Sequence, residues 1–397
     1  MNRRTTRRIM YVIGVAAFVV LAARLAPEKD SIAFAGKQVE PQSARVTLTD
    51  KQKLGKMLYF DKTLSAPNGQ SCATCHSPSA GFADPDDSSP VSNGVIEKRV
   101  GFRNTPTAAY ASFIPPLSYN ADDETYVGGL FLDGRAATLS DQAEQPFLNT
   151  LEMHNPDKDH VVNAVRRASY SSKFKQVFGN DALDANKTET AYSQIADAIA
   201  NFESSPVFSP FTSKYDYYLK GKAKLTAREA LGLDLFNNKA GCAACHPSTA
   251  TDGQPGPMFT DFTYDNIGIP KNWKNPFLNL PRKLNRDGID FIDIGLAKTV
   301  ATFDPLNAHL EAGKFRVTTL RNIELTAPYG HNGFFKSLRE VVNFYNTRDV
   351  PAANWAPAEV PETENKDELG NLGLTEREVD AIVAFLKTLT DGYDPRK

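Results

Sequence analysis

Cysteine is scarce in this chain of 397 residues, which has only four, and neither sign of charge dominates. Lys and Arg number 45 against 47 Asp and Glu, a formal charge of −2. Residues 1–35 hold six of the bases and two of the acids, so the remainder carries 39 basic and 45 acidic residues, a formal −6. A mildly acidic body excludes nucleic acid as the main partner, because phosphate binding needs a basic face. It leaves room for a basic protein partner. Long apolar runs are missing too. Only Ile9 to Ala23 approaches the roughly 20 residues a membrane span requires, which excludes a polytopic membrane protein. What is present, 41% hydrophobic and 10% aromatic residues, suffices for a sizeable core, and the length suggests two or three domains.

The apolar run has its own meaning. Arg3, Arg4, Arg7 and Arg8 precede it, Arg24 and Pro27 close it, and Ala33-Phe34-Ala35 follows as a small-x-small site. A charged start, a short apolar stretch and such a site form a secretory signal. Residues 1–35 therefore read as a signal peptide, with an uncleaved membrane anchor as the alternative. Either way the body is expected outside the cytoplasm, in the periplasm.

An exported chain is expected to pair its cysteines in disulfides. Here all four sit in two copies of one motif, Cys72-Ala73-Thr74-Cys75-His76 and Cys242-Ala243-Ala244-Cys245-His246. C-x-x-C-H is the attachment pattern for c-type haem: two thiols form thioethers and the adjacent histidine reaches the iron. A redox dithiol or half of a zinc site would explain one copy. Two copies with no cysteine left over point to two covalently bound haem c groups, with His76 and His246 as iron ligands.

The surroundings repeat as well. Leu48-Thr49, Leu54-Gly55 and Leu58-Tyr59-Phe60 precede the first motif; Leu225-Thr226, Leu231-Gly232 and Leu235-Phe236 precede the second. Thr49 with Gln52 and Thr226 with Glu229 are capping-box pairs that open a helix. After each motif comes an amphipathic helix. Ala191, Ile195, Ala198, Ile199 and Phe202 mark one; Val379, Ile382, Val383, Leu386 and Leu389 mark the other, behind the Thr375–Glu378 box. Asp197-Ala198-Ile199 matches Asp380-Ala381-Ile382. The expected fold is mainly α, two cytochrome c-like haem domains from an internal duplication with long loop insertions. They cover residues 41–215 and 216–397, meeting near Ser209 to Gly221. Pro351 to Gly370 reads as a surface loop.

Two haems serve either an electron carrier, with six strong ligands at each iron, or an enzyme with one iron open. The first half offers Met153, His154 and His160 as sixth ligands, because no histidine or methionine lies between Ser77 and Glu152. The second half offers Met258, His309, His331 and Tyr345. Composition leaves that choice open.

Several short segments are similar to those of the bacterial dihaem cytochrome c peroxidase family, which includes MauG. They are Arg103-Asn104-Thr105-Pro106-Thr107, Gly128-Gly129 with Asp133-Gly134-Arg135-Ala136, Gln142-Ala143, and Pro146-Phe147-Leu148-Asn149 with Leu151-Glu152-Met153. Phe259-Thr260-Asp261, Asn266-Ile267-Gly268, Thr319-Leu320-Arg321-Asn322, Thr326-Ala327-Pro328-Tyr329 with His331-Asn332-Gly333, and Phe344-Tyr345-Asn346 complete the set. The resemblance spans about residues 47 to 390 and implies an oxidoreductase. Hydrogen peroxide would react at the N-terminal haem, with electrons relayed through the C-terminal one. The donor would be a small protein, a cytochrome c or a cupredoxin, or else a protein substrate. It also implies one calcium ion held by the Asn104 side chain and the carbonyls of Thr326 and Pro328, oxygen ligands of a kind that suits calcium. Tyr345 occupies the position of the relay haem's sixth ligand, methionine in peroxidases and tyrosine in MauG. Ser337 and Glu340 form a capping box for its helix; read without the family, Tyr345 is a core aromatic.

The peroxide site departs from the family pattern. Leu130 stands where a glutamine is usual, and Ser140 where a glutamate would move a proton between the peroxide oxygens. Such a group is typically worth roughly 10²–10⁴-fold in rate. Asp141 and Glu144 are the nearby carboxylates, although on a helix Asp141 points about 100° away from Ser140. Tyr119 is the nearest aromatic to the family's inter-haem tryptophan. The histidine that blocks the N-terminal haem in many peroxidases has no counterpart, since residues 77–103 contain none. Two alternatives therefore stand beside peroxide reduction: a MauG-like oxidant of a partner protein, and a non-catalytic dihaem electron carrier.

Overall fold

Eleven α-helices, ten short 3₁₀ helices and four very short strands are found in the described part of the computed structural model, residues 46–251 and 253–396. The expected export segment lies outside the described residues. Among those described, no helix is long and apolar enough to cross a membrane. In chain order the helices are α1 (Asp50–Tyr59), α2 (Cys72–Cys75), α3 (Leu139–Leu148), α4 (Lys158–Arg167), α5 (Ser171–Phe178) and α6 (Thr188–Glu203). Then come α7 (Lys214–Leu219), α8 (Ala227–Asn237), α9 (Ala297–Val300), α10 (Leu338–Thr347) and α11 (Glu376–Lys387). Strands β1 (Ser118–Asn120) and β2 (Thr125–Val127) form one antiparallel pair, β3 (Tyr264–Asp265) and β4 (Phe315–Arg316) another.

The capping pairs read from the sequence open α1, α8, α10 and α11, each with the reciprocal side-chain and backbone bonds of a full box. Two helix pairs then organise the chain: α1 packs on α6 and α8 packs on α11. Both crossings close over a glycine. A Cβ added at Gly55 would lie 1.9 Å from the Ala198 carbonyl oxygen, and one at Gly232 would lie 1.9 Å from that of Ala381. Any side chain there forces the helices apart. Around the first crossing gather Leu54, Leu58, Tyr59, Ile195, Ile199 and Phe202; around the second, Leu235, Phe236, Val379, Ile382 and Phe385.

A second arrangement also recurs. An antiparallel bridge joins Leu130 to Ala136 just before α3, and another joins Tyr329 to Phe335 just before α10. Each is followed by a capped ten-residue helix, behind Thr138 and Ser337 respectively. Helix α3 packs on α6 as α10 packs on α11.

Between the halves the chain is tied by a buried ion pair: Arg103, which also meets Asp133, reaches Asp293. Within the second half the Arg321 guanidinium donates to both carboxylate oxygens of Asp216 at 2.8 and 3.0 Å. The stretch 209–221 is thus no open linker, for it carries α7, with Tyr215 and Asp216 buried. Residues 351–370 are exposed over much of their length, as expected of a surface loop, but they are pinned. Asn266 donates to the Val360 carbonyl at 2.7 Å, and Arg348 meets Glu364 at 3.1 Å.

The glycine crossings give the first prediction. Gly55→Ala or Gly232→Ala is expected to cost about 3 kcal/mol or more in a urea unfolding curve, as overpacking against backbone does. Gly69→Ala, whose Cβ would meet nothing closer than Val95 at 3.7 Å, is expected to leave the midpoint near wild type.

Candidate haem and peroxide sites

The end of α1 leads into the first motif. Tyr59 is fully buried and its hydroxyl donates to the His76 carbonyl at 2.8 Å. The turn Cys72–Cys75 closes with the His76 amide on the Cys72 carbonyl at 2.8 Å, and His246 repeats the bond to Cys242 at 2.9 Å. Each ring is then held from behind. His76 Nδ1 lies 3.2 Å from the Phe82 carbonyl and His246 Nδ1 lies 2.7 Å from that of Phe259. A backbone acceptor at Nδ1 fixes the proton there and leaves Nε2 unprotonated, the form in which imidazole binds a metal. Burial agrees with this, holding both histidines below the ordinary imidazole range.

None of the four cysteines is paired in a disulfide, which leaves all four sulfurs for thioether attachment. Burial pushes Cys75, Cys242 and Cys245 up to about 12. Two sulfurs for covalent attachment and one metal-ready imidazole in each motif fit a c-type haem.

The second motif opens on a cavity of about 310 Å³, lined by Cys242, Cys245, His246 and largely apolar walls. Tyr345 projects into it from α10. Among the described residues its hydroxyl has no hydrogen-bond partner, and burial, then the charge of Asp265, pushes the phenol well above its ordinary range. Met258 also lines the cavity, but it precedes Phe259, whose carbonyl holds the back of the His246 ring, and so belongs to the histidine's own side. His331 lines the cavity with its ring stacked on Phe315 at 3.8 Å, whereas His309 is exposed.

The cavity wall also carries Asn104, Thr326 and Pro328. The Asn104 amide nitrogen donates to the Pro90 carbonyl at 3.2 Å, which leaves its oxygen without a donor. The carbonyls of Thr326 and Pro328 accept no hydrogen bond either among the described residues. Three unclaimed neutral oxygens among the lining residues are of the kind that suits a hard cation.

In the first half, Met153 is buried in the core, His160 is exposed, and His154 meets the Arg99 guanidinium at 3.1 Å. Leu130 is buried in its bridge, and Ser140 sits in the first turn of α3, part-exposed. The Asp141 carboxylate turns back to accept from the Thr138 amide at 3.1 Å and its hydroxyl at 2.8 Å, so it is committed to capping α3. Glu144 accepts from Ser193 at 2.7 Å. Tyr119 stands on the surface in β1, its ring 5.0 Å from that of Tyr126. The segment that borders both motifs is a different one: the Pro106 carbonyl lies close enough to the His76 ring to favour its charged form, while 104–107 and 109–111 line the second cavity.

Sequence reasoning missed Glu203. It is buried at the end of α6, its Oε2 has no hydrogen-bond partner among the described residues, and its charge would be felt by both Tyr59 and Cys72. Burial raises this carboxyl to about 8. Aligning the matched Asp197 and Asp380 helices would have exposed it, because the same register puts Leu386 in the second half.

A model of the di-haem cytochrome c peroxidase family matches residues 49–224. The methylamine utilization protein MauG of Paracoccus denitrificans is 38% identical over 389 residues, 94% of this chain and 96% of its own. The chain belongs to the di-haem cytochrome c peroxidase family. A cytochrome c551 peroxidase of Nitrosomonas europaea is 31% identical over 358 residues, covering 89% of this chain and 82% of that one. The crystal structure of the diheme peroxidase BthA from Burkholderia thailandensis superposes with a TM-score of 0.77 at 31% identity, over 89% of each chain. This di-haem peroxidase-family protein is accordingly an oxidoreductase, and its family implies two haem groups.

Glu203 yields a pH prediction. Folding raises its carboxyl from about 4.5 to about 8, so between those values the folded chain binds more protons than the unfolded one. Stability therefore falls as pH rises through that window, by up to roughly 1.4 kcal/mol per unit. Glu203→Gln is expected to flatten this part of the Tm-against-pH curve; an unchanged slope would show that Glu203 does not hold the proton.

Proposed function

We propose that this protein is an exported, periplasmic dihaem c-type oxidoreductase in which hydrogen peroxide is reduced at the N-terminal site with electrons relayed through the C-terminal one. Cys72 and Cys75 would attach one haem and Cys242 and Cys245 the other, with His76 and His246 on the irons. The matched helix crossings and matched histidine backing support two cytochrome c-like domains, 41–215 and 216–397, from an internal duplication. When bound, the haems supply the redox chemistry, in which peroxide takes up two electrons and two protons to give two waters.

The observation that carries the reading is an asymmetry between matched helices. Tyr345 is the eighth residue of α10, and the eighth residue of α3 is Pro146. Where the second site presents a phenol, the first presents a side chain that cannot ligate a metal. The first site is then open to a small molecule and the second is closed by Tyr345. A phenolate ligand lowers reduction potential relative to a methionine and so favours storing oxidising equivalents. Asn104, Thr326 and Pro328 would hold one calcium ion on the wall of the second site.

No carboxylate is in place at Ser140 to shuttle the peroxide proton, and Asp141 is spent on capping. That supports the second reading, a MauG-like oxidant that acts on a partner protein and turns over slowly with a simple reductant. A pure electron carrier would instead need a sixth ligand at both sites.

Stoichiometric peroxide added to the fully ferric protein and to the half-reduced protein, followed by haem absorbance, separates the readings. Reaction of the ferric form is expected. Reaction only after half-reduction would contradict the open first site, and no reaction in either form would favour the carrier. Ser140→Glu is expected to raise steady-state peroxide turnover by about tenfold or more. An unchanged rate would mean that proton transfer is not what limits turnover.

A further inference from the structure

Most of the buried tyrosines in this chain are tied to the backbone. Tyr59, Tyr192, Tyr215, Tyr264 and Tyr329 each donate to a main-chain carbonyl, which cannot take up a proton. Tyr110 and Tyr170 donate instead to carboxylates, Tyr110 to Asp391 at 2.8 Å and Tyr170 to Asp61. Of these two, Tyr110 is the one that lines the His246 cavity. It also belongs to the core of the first half, where it is 2% exposed. Its amide donates to the Phe208 carbonyl at 3.0 Å, and the Phe208 ring stacks on that of Phe82 at 4.1 Å. The Phe82 carbonyl, which backs His76, accepts at 2.9 Å from the amide of Ala108, two residues before Tyr110. One phenol thus adjoins both sites.

The phenol oxygen is held on several sides. The Phe211 amide donates to it at 3.1 Å. The Arg321 guanidinium, itself paired with Asp216, reaches it at 3.4 Å and lies over the ring at 4.7 Å. Asp391 accepts further bonds from the Thr212 amide at 2.9 Å and the Asn322 side chain at 3.1 Å. It is only part-buried, which gives a proton a way out to solvent. Phe211 stands edge-on to the ring at 5.0 Å and Phe113 lies 6.5 Å from it, side chains far harder to oxidise than a phenol. Burial, the largest effect, holds the phenol well above its ordinary range, so it keeps its proton until an electron is withdrawn.

We propose that Tyr110 is a redox-active tyrosine that gives up one electron to the peroxide-oxidised protein while its phenolic proton passes to Asp391. The inference rests on the functional reading above. The O–H bond of Tyr110 breaks, an O–H bond forms on the Asp391 carboxylate, and a neutral phenoxyl radical remains. The Phe211 amide and Arg321 continue to donate to its oxygen, which stabilises it. Of the two electrons that peroxide takes up, one comes from Tyr110 and the other from the haem sites, with two protons from solvent. An electron from an external reductant and the proton held on Asp391 then restore the phenol.

The test is electron paramagnetic resonance of the holoprotein, freeze-quenched after stoichiometric hydrogen peroxide, with haem absorbance followed in parallel. A free-radical signal that narrows when the protein carries ring-deuterated tyrosine is expected. Tyr110→Phe is expected to abolish that signal and Tyr170→Phe to keep it. Asp391→Asn retains an oxygen for the Tyr110 hydroxyl but cannot take its proton. It is expected to lower the radical yield by about tenfold or more, and it carries the test if Tyr110→Phe does not fold. A change in absorbance with no tyrosine signal in wild type would overturn the proposal and leave the functional reading standing. A signal that survives Tyr110→Phe, or a full yield in Asp391→Asn, would overturn it as well. No absorbance change on adding peroxide would overturn the functional reading, and the proposal with it.

Discussion

Backbone contact at Gly55 and Gly232 sets how closely each opening helix lies against its closing partner, and through that spacing where each histidine stands. With α1 pressed onto α6, Tyr59 at the end of α1 is buried and its hydroxyl reaches the His76 carbonyl. With α8 pressed onto α11, Phe236 takes the equivalent place beside the second motif. The Phe82 and Phe259 carbonyls then take the Nδ1 proton of each ring, which leaves the other nitrogen free for a metal. A side chain on either glycine would disturb this whole sequence of contacts.

On that common scaffold the two sites differ by a few side chains. Tyr345 faces Pro146 in the helix register, and Glu203 faces Leu386. In the proposed function, the first difference decides which site can accept a small molecule. The second places an uncompensated carboxyl beside Cys72, where it is held neutral by burial over much of the physiological range. On the reading proposed above, matched frameworks with divergent sixth positions would allow one site to react while the other relays electrons.

Much of this was legible in the sequence because it is written in side chains. The two C-x-x-C-H motifs, the Thr49, Thr226, Ser337 and Thr375 caps and the heptad-like apolar positions of α6 and α11 each leave a mark on residue identity. The backing of His76 and His246 leaves none, since a backbone carbonyl can come from any residue. Asp141 misled for a related reason. A carboxylate three residues after a threonine serves the cap before it serves a substrate, and the Thr138–Asp141 box takes it. Tyr119 was chosen by its position along the chain. Folding puts it on the outer surface, while Pro106, which no side-chain argument singles out, borders both sites.

The central claim is that two sites alike in scaffold differ in their sixth position, open beside Pro146 and closed by Tyr345. Electron paramagnetic resonance of the fully ferric holoprotein tests it most directly. One high-spin and one low-spin signal in equal amounts are expected, with Tyr345→Phe altering only the low-spin one. Two low-spin signals in the resting protein would contradict the account.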